Sequence, residues 1–356
     1  MRFLILVNTP AHVHLYRNLV PRLQNRGHDV LVLARDYGCT VDLLDYYDLP
    51  SELYGRQAPS FRSLVANVPG QFGRIARRAR SFAPDVVFGR GAYAVVAGTA
   101  TRTPIVLVID SEPSQVSHRV SSRFARTVVS PNAFEGSLGD HHVRFDGLQE
   151  CAYLHPEVFT PDPSVRDALG VGSDEAYALV RLNAFDALHD VGSGSRNDER
   201  RELIRNLAER ATVFVSDEAG TLDLSALPAE RYDIHPGRMH DALAEARLFV
   251  TDTGTMATEA GLLGTPTVRY ADPDEPTMGE FEELRENDLL EQHNTMSDVV
   301  NAAERLLDND EVVTRWATAR DRYLTGTADL TALLVNIAEH VGDGVAVPAD
   351  VSAHVA

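Results

Sequence analysis

An α/β fold with two Rossmann-like domains is what this sequence predicts. Short aliphatic runs alternate with helical stretches in two successive series, and a proline-rich connector, Pro156 to Pro163, separates the series. Length agrees, since 356 residues with 44% hydrophobic content suit two domains of ordinary size.

The first series opens with Phe3 to Val7, followed by a loop from Asn8 to Val13 and a helix that ends at Arg26-Gly27. Further strands are expected at Val30 to Leu33, Ser51 to Tyr54, Asp85 to Phe88, Ile105 to Ile109 and Thr127 to Ser130. The second series comprises Tyr177 to Arg181, Val213 to Ser216, a short Tyr232 to Ile234, Leu248 to Val250 and Thr267 to Tyr270. Strands alternating with helices imply parallel sheets covered on both faces. The expected boundaries are a first domain over 1–155, a linker over 156–170, a second domain with terminal helices over 171–342, and a disordered tail over 343–356.

Composition removes several function classes. There are 52 acidic residues against 33 basic ones, for a formal charge of −19, and every basic residue is arginine. Such a chain lacks the basic footprint that nucleic acid requires. The absence of lysine excludes the P-loop lysine and Schiff-base chemistry. No GxGxxG follows the first strand, where Asn8-Thr9-Pro10-Ala11-His12-Val13-His14 stands instead, so a dinucleotide cofactor is not expected. Cys39 and Cys151 have no CxxC spacing and read as packing residues. Met1 to Val7 is too short for a signal peptide, and no apolar run of about 18 residues exists to cross a bilayer, so the expected compartment is the cytoplasm.

The most informative segment is Thr251 to Pro266, in which the strand Leu248 to Val250 passes through a hydroxyl-rich turn into the helix beginning near Met256. Gly254 would let backbone approach a ligand, and Thr253 and Thr255 would present hydroxyls where helix N–H groups and dipole favour phosphate. Glu259, about one turn further in, could accept hydrogen bonds from a sugar hydroxyl. The plain alternative is an ordinary strand-to-helix turn with Thr253 as N-cap. Arg181, at a strand end, is placed to bind two oxygens of a diphosphate, with a surface ion pair as the alternative. Asp186, His189 and Asp190 are too few for a metal site, and Gly192 to Ser195 reads as a surface loop.

In the first half, His12 sits in the turn after strand one, at the sheet edge where open α/β domains bind ligands, and an imidazole with a pKa of about 6.5 can serve as general base. Local capping is the alternative. His14 reads as the first helical residue and as a packing or capping group. Asp110 and Glu112 follow strand five at the same edge, and either could orient His12 or bind a sugar hydroxyl, or simply cap the helix after Pro113.

Several segments together carry a resemblance: Pro10 to His14, Arg26 to Val30, Ala34 to Gly38, Arg181 to Asp190 and Gly254 to Ala260. In these the chain resembles the archaeal and bacterial DUF354 family, which looks like a branch of the GT-B superfamily and is similar to the MurG glycosyltransferase and the non-hydrolysing UDP-N-acetylglucosamine 2-epimerases. The resemblance implies a GT-B fold, two Rossmann-like domains facing a cleft, with a nucleotide sugar held mainly by the second. Asp252-Thr253-Gly254-Thr255, Thr258-Glu259 and Leu263-Gly264-Thr265-Pro266 are similar to the epimerase motif, which puts Glu259 at its ribose-binding glutamate, with Met256 between them as a further candidate nucleotide-binding residue. Thr255 and Thr258 depart from that motif, and Leu182-Asn183 after Arg181 lacks the epimerase's strand-end histidine.

What the resemblance implies is therefore a metal-independent transferase. It would move a sugar from a nucleotide sugar, with UDP as the expected nucleotide and no separate cofactor, to a glycan or lipid-linked acceptor. His12, oriented by Glu112, would take the acceptor proton, while Thr253, Thr255, the turn amides and Arg181 would hold the leaving diphosphate. An epimerase or an inert nucleotide-sugar-binding protein are the alternatives. The acidic, lysine-free composition resembles that of extremely halophilic archaea. Phe61 to Phe82 is expected as an amphipathic helix whose Arg74, Arg77, Arg78 and Arg80 could meet an anionic membrane, the plain alternative being a helix packed on the sheet.

Overall fold

In the computed structural model, residues 1–57, 61–110, 115–182, 193–217, 222–276, 278–345 and 347 are described. The chain divides into two compact units, one formed by Met1–Val158 together with the chain from Gly326, the other by Phe159–Thr325.

The first unit holds seven parallel strands: β1 (Arg2–Val7), β2 (Asp29–Asp36), β3 (Ser51–Arg56), β4 (Val86–Gly89), β5 (Ile105–Val108), β6 (Thr127–Pro131) and β7 (His142–Phe145). Their order is β3-β2-β1-β4-β5-β6-β7. The second holds β8 (Tyr177–Arg181), β9 (Thr212–Val215), β10 (Glu230–Arg231), β11 (Leu248–Thr251), β12 (Thr267–Tyr270) and β13 (Glu291–His293), ordered β10-β9-β8-β11-β12-β13 and again parallel. Strand order reverses direction between β1 and β4, and between β8 and β11. Ligands of open α/β sheets bind beyond the carboxyl ends of strands at such switch points.

Each sheet has its own core. Leu4, Leu6, Leu33, Val87, Leu107 and Val128 pack in the first, and Val180, Val215, Val250, Val268, Leu203 and Trp316 in the second, all at most 3% exposed. Close approach dictates one glycine: a Cβ on Gly98 of the helix Gly91–Thr101 would lie 2.2 Å from Ile105 Cγ1 on β5, so that helix can lie on its strand only without a side chain there.

The structure departs from the sequence expectations at definite places. The loop expected over Asn8 to Val13 is a helix from Pro10, because proline supplies the φ of a first helical residue; the helix stops at Tyr16, and a second runs over Leu19–Asn25. The expected strand at Tyr232 to Ile234 is instead the two-residue β10 at Glu230–Arg231. Strands β7 and β13 were not expected. The region read as linker contains a helix, Val165–Leu169, and the unit boundary falls at 158/159.

The C-terminal helix Leu330–Gly342, assigned from sequence to the second domain, belongs to the first unit. Its buried Leu330, Leu333, Leu334 and Ile337 pack there, Arg22 pairs with Asp329 at 2.8 Å and Arg26 with Glu339 at 2.9 Å, and His28 Nε2 lies 3.2 Å from the same carboxylate. Most of the tail expected to be disordered lies outside the described residues. Ser193 to Ser195, read as loop, begins the helix Ser193–Ala208, while Asp186, His189 and Asp190 lie outside the described residues.

The helix Phe61–Phe82 forms as expected. Gln71, Ile75 and Ala79 are its buried residues among those whose side chains are described. Its arginines are partly committed: Arg74 Nε donates to the Tyr54 carbonyl at 2.5 Å, Arg78 pairs with Glu52 at 2.6 Å, and Arg80 Nε donates to the Ala100 carbonyl at 3.2 Å. Among the described residues no helix is long and apolar enough to cross a membrane.

Candidate functional site

In the second unit, β11 ends at the buried Thr251, and the helix Gly254–Leu263 starts three residues later. Thr253 occupies the N-cap position in extended backbone, yet its side chain does not cap. Its Oγ1 lies 2.9 Å from Thr251 Oγ1, and its N–H donates to that same oxygen at 3.0 Å. The Thr253 hydroxyl thus shares one hydrogen bond with Thr251 and keeps further hydrogen-bonding capacity. This geometry removes the plain alternative of a capping Thr253. What remains is an uncapped N-terminus on a ten-residue helix, with Thr255 exposed and Met256 half-buried beside it.

The flank of this turn is filled. A Cβ on Gly254 would lie 2.8 Å from Phe281 Cζ, so the glycine admits the Phe281 ring. Above that ring, at 4.1 Å from its centroid, sits the buried guanidinium of Arg269, which pairs with Glu275 at 2.7 Å. Sequence reasoning missed this stack, which fixes the side of the turn.

Glu259 is 4% exposed. Its Oε1 lies 3.1 Å from Nε2 of His240, itself 2% exposed, on the helix Met239–Ala244. His240 also packs edge-on against Phe159, with ring centroids 6.0 Å apart. A carboxylate gripped on one oxygen by a buried imidazole is held in a single orientation. Nothing in the sequence marked His240, a lone histidine on a six-residue helix.

Arg181 stands opposite Thr251 in register, and Asp252 N–H donates to its carbonyl at 3.3 Å. Its guanidinium hydrogen-bonds Ser216 Oγ at 3.1 Å, just past the end of β9. It thus occupies the carboxyl edge, with its side chain reaching toward β9.

In the first unit, the carboxyl ends of β1, β4 and β5 bring together Asn8, His12, Arg90 and Asp110. His12 lies in the first turn of the helix Pro10–Tyr16, not in a loop, and is 7% exposed. Its Nδ1 accepts a hydrogen bond from the Asn8 N–H at 3.2 Å. Asn8 is fixed in turn: Arg35 donates to its carbonyl at 2.9 and 3.1 Å, and Tyr54 OH donates to its side-chain oxygen at 2.7 Å. Arg90 and Asp110 form a bidentate pair at 2.5 and 2.6 Å.

Burial, followed by the Arg90 charge and with Asp110 partly opposing, pushes the His12 pKa down to about 4. The ring is neutral near pH 7. Because Nδ1 accepts from Asn8, the proton of the neutral ring resides on Nε2, so His12 offers a donor and not a lone pair. The general-base role expected from the sequence would require a free lone pair on Nε2, with the ring proton on Nδ1. His14 is helical and packs: it stacks on Tyr153 at 5.4 Å and meets Arg17 at 3.3 Å. Glu112 lies outside the described residues.

Comparison with known proteins gives the fold. No family model matches the chain. An uncharacterized protein of Methanocaldococcus jannaschii, MJ0665, is 22% identical over 328 residues, which are 84% of this chain and 89% of that one. Among solved structures, a putative UDP-N-acetylglucosamine 2-epimerase from Listeria monocytogenes superposes with a TM-score of 0.71, at 15% identity and 96% coverage of each chain. The UDP-GlcNAc 2-epimerase from Neisseria meningitidis bound to UDP-GlcNAc gives 0.65 at 13% identity, covering 95% of this chain and 99% of that one. The glycosyltransferase VinC in complex with dTDP gives 0.64 at 14% identity, covering 97% and 100%. The two parallel α/β sheets are those of the GT-B fold, shared by glycosyltransferases and UDP-GlcNAc 2-epimerases.

Proposed function

We propose that this chain is a glycosyltransferase that moves a sugar from a nucleotide sugar, with UDP as the nucleotide, to an acceptor hydroxyl on a glycan or lipid-linked saccharide. One observation carries the reading: the switch point of the second sheet presents an uncapped helix N-terminus, with a buried, oriented Glu259 in the same helix. In this reading the Gly254, Thr255 and Met256 amides, the Thr255 hydroxyl and Arg181 take the diphosphate, and Glu259 accepts from the ribose hydroxyls.

In the chemical step, the acceptor oxygen attacks the anomeric carbon, the bond from that carbon to the diphosphate oxygen breaks, and the diphosphate leaves with the electron pair. Helix amides and Arg181 stabilise the charge it gains. His12 donates from Nε2 to a substrate oxygen. The acceptor proton passes to a carboxylate, and we assign this to Glu112, since both carboxylate oxygens of Asp110 are already engaged by Arg90.

The test is calorimetric titration with UDP and other nucleoside diphosphates, followed by assays for UDP release and for epimerised sugar. Tight UDP binding with UDP release in the presence of acceptor supports transfer. The epimerase reading is favoured by the fold likeness, and formation of the 2-epimer without UDP release would replace transfer with it. Binding with neither reaction would leave an inert binding protein.

A further inference from the structure

The helix Gln115–Ser122 in the first unit is inside out. His118, Ser121 and Ser122 face inward and are at most 4% exposed. Val116, Val120 and, in the turn that follows, Phe124 are 79%, 52% and 53% exposed. The polar inner face is satisfied: the His118 ring meets Phe134 edge-on at 6.3 Å, Ser122 Oγ donates to the Arg119 carbonyl at 3.1 Å, and the Ser122 carbonyl lies 3.0 Å from His141 Nε2. Spacing of four residues puts Val116 and Val120 on one outward side of the helix, and Phe124 is exposed in the turn that continues it. Scattered exposed apolar residues need no explanation, whereas a stripe on a helix that turns its serines to the core does.

Three arginines accompany that stripe. Arg119, Arg123 and Arg126 are exposed, and none has an ion pair among the described residues. Elsewhere in the same unit Arg22, Arg26, Arg78 and Arg90 each hold a carboxylate. Three uncompensated arginines interleaved with three exposed apolar side chains stand out in a chain of 52 acidic residues.

We propose that this face docks on a bilayer surface rich in anionic phospholipid. Val116, Val120 and Phe124 enter the boundary between headgroups and acyl chains, and Arg119, Arg123 and Arg126 pair with lipid phosphates. A second copy of the chain fits worse. A symmetric contact would set arginines against arginines, and three side chains fall short of the roughly 800 Å² per partner of a stable interface. The docking does not depend on the transferase reading. It also differs from the sequence expectation, which placed membrane contact on the helix Phe61–Phe82.

The test is flotation of the full chain with phosphatidylcholine vesicles, with and without phosphatidylglycerol, at low ionic strength. Wild type floats with the phosphatidylglycerol vesicles only. Arg119→Glu/Arg123→Glu and Val120→Asp/Phe124→Asp each lower recovery by on the order of tenfold or more, with unchanged thermal midpoints because these side chains are exposed. Arg77→Glu, on the other helix, floats like wild type. Equal recovery of wild type and both double variants would overturn the proposal, as would wild type that stays with the protein-only fraction. Loss in the arginine variant alone would overturn insertion of the apolar stripe. A dimer that Phe124→Asp abolishes while flotation persists would assign the stripe to a second copy.

Discussion

The two units share a parallel, switch-point topology and differ sharply in charge. Met1–Val158 with the chain from Gly326 carries 18 acidic and 17 basic residues, a net of −1; Phe159–Thr325 carries 34 acidic and 16 basic residues, a net of −18. Nearly all of the −19 therefore belongs to one body. Their sheet edges differ as well. In the first unit, Arg35 and Tyr54 hold Asn8 against His12, and Arg90 pairs with Asp110 nearby. In the second, the helix Gly254–Leu263, uncapped like Pro10–Tyr16 of the first unit, has no such set of side chains hydrogen-bonded around its first turn among the described residues. Such a set positions groups in advance, whereas an uncapped terminus without one in a body of −18 must attract an anion by short-range donors against the long-range field.

That contrast predicts that changes in the first unit alter rate and changes in the second alter binding. The largest effect is expected at His12. His12→Ala should lower turnover by on the order of 10²–10³, the usual loss for a positioned hydrogen-bond donor, with UDP affinity unchanged. His12→Gln keeps an N–H near the same place and should recover at least about tenfold of that loss. A glutamine variant as slow as alanine in single-turnover kinetics would restore the general base and break the donor assignment.

In the second unit, Glu259→Ala should weaken UDP binding by about 1.5–3 kcal/mol, measured by calorimetry. It also leaves His240 buried without its carboxylate, so the fold loses stability too. Glu259→Gln separates the two, because an amide oxygen can still face His240 while the charge on the ribose side is gone. If Glu259→Gln binds UDP as wild type does, the carboxylate acts only inside the fold.

How far these sites could be read in advance depended on where their partners lie in the chain. Strands such as β1, β2, β8 and β11 were legible because both faces are buried, which demands unbroken aliphatic runs. The edge strands β7, His-Val-Arg-Phe, and β13, Glu-Gln-His, pair on one side only and are half-buried, so no apolar signal marks them. The β11 turn was legible as a local motif. His240, Phe281 and Arg269 were not, since each reaches that helix or its turn only through the fold. The same holds for the return of Leu330–Gly342 to the first unit, whose partners Arg22 and Arg26 lie more than 300 residues away in sequence.

Acid should find the first unit's weak point. With the His12 pKa held at about 4, below the unfolded value near 6.5, the unfolded chain takes up a proton that the native ring refuses. Stability from this group is complete above about pH 6.5 and is lost as pH falls toward 4; between pH 7 and 5 the loss is about 2 kcal/mol. His142, pushed down to about 4 by burial and then Arg144, adds in the same direction. Urea midpoints at the two pH values should converge in His12→Gln by that amount, and a wild-type midpoint indifferent to pH would contradict the buried neutral ring.

The smallest expected effect concerns salt, and it tests the charge contrast itself. Self-repulsion in a body of −18 is screened within about 10 Å at 0.1 M salt and about 3 Å at 1 M, so raising KCl should stabilise the second unit and leave the nearly neutral first unit little changed. The gain is expected to be on the order of 1 kcal/mol, or about 2–4 °C for a body of this size. Hydrogen–deuterium exchange of the full chain can locate it. Peptides from β8, β9, β11 and β12 should slow as KCl rises, and those from β1, β2, β4 and β5 should not. Uniform slowing across both sheets would show that salt acts through general burial of apolar surface. In that case the acidity of the second unit would serve its surface hydration without setting its stability.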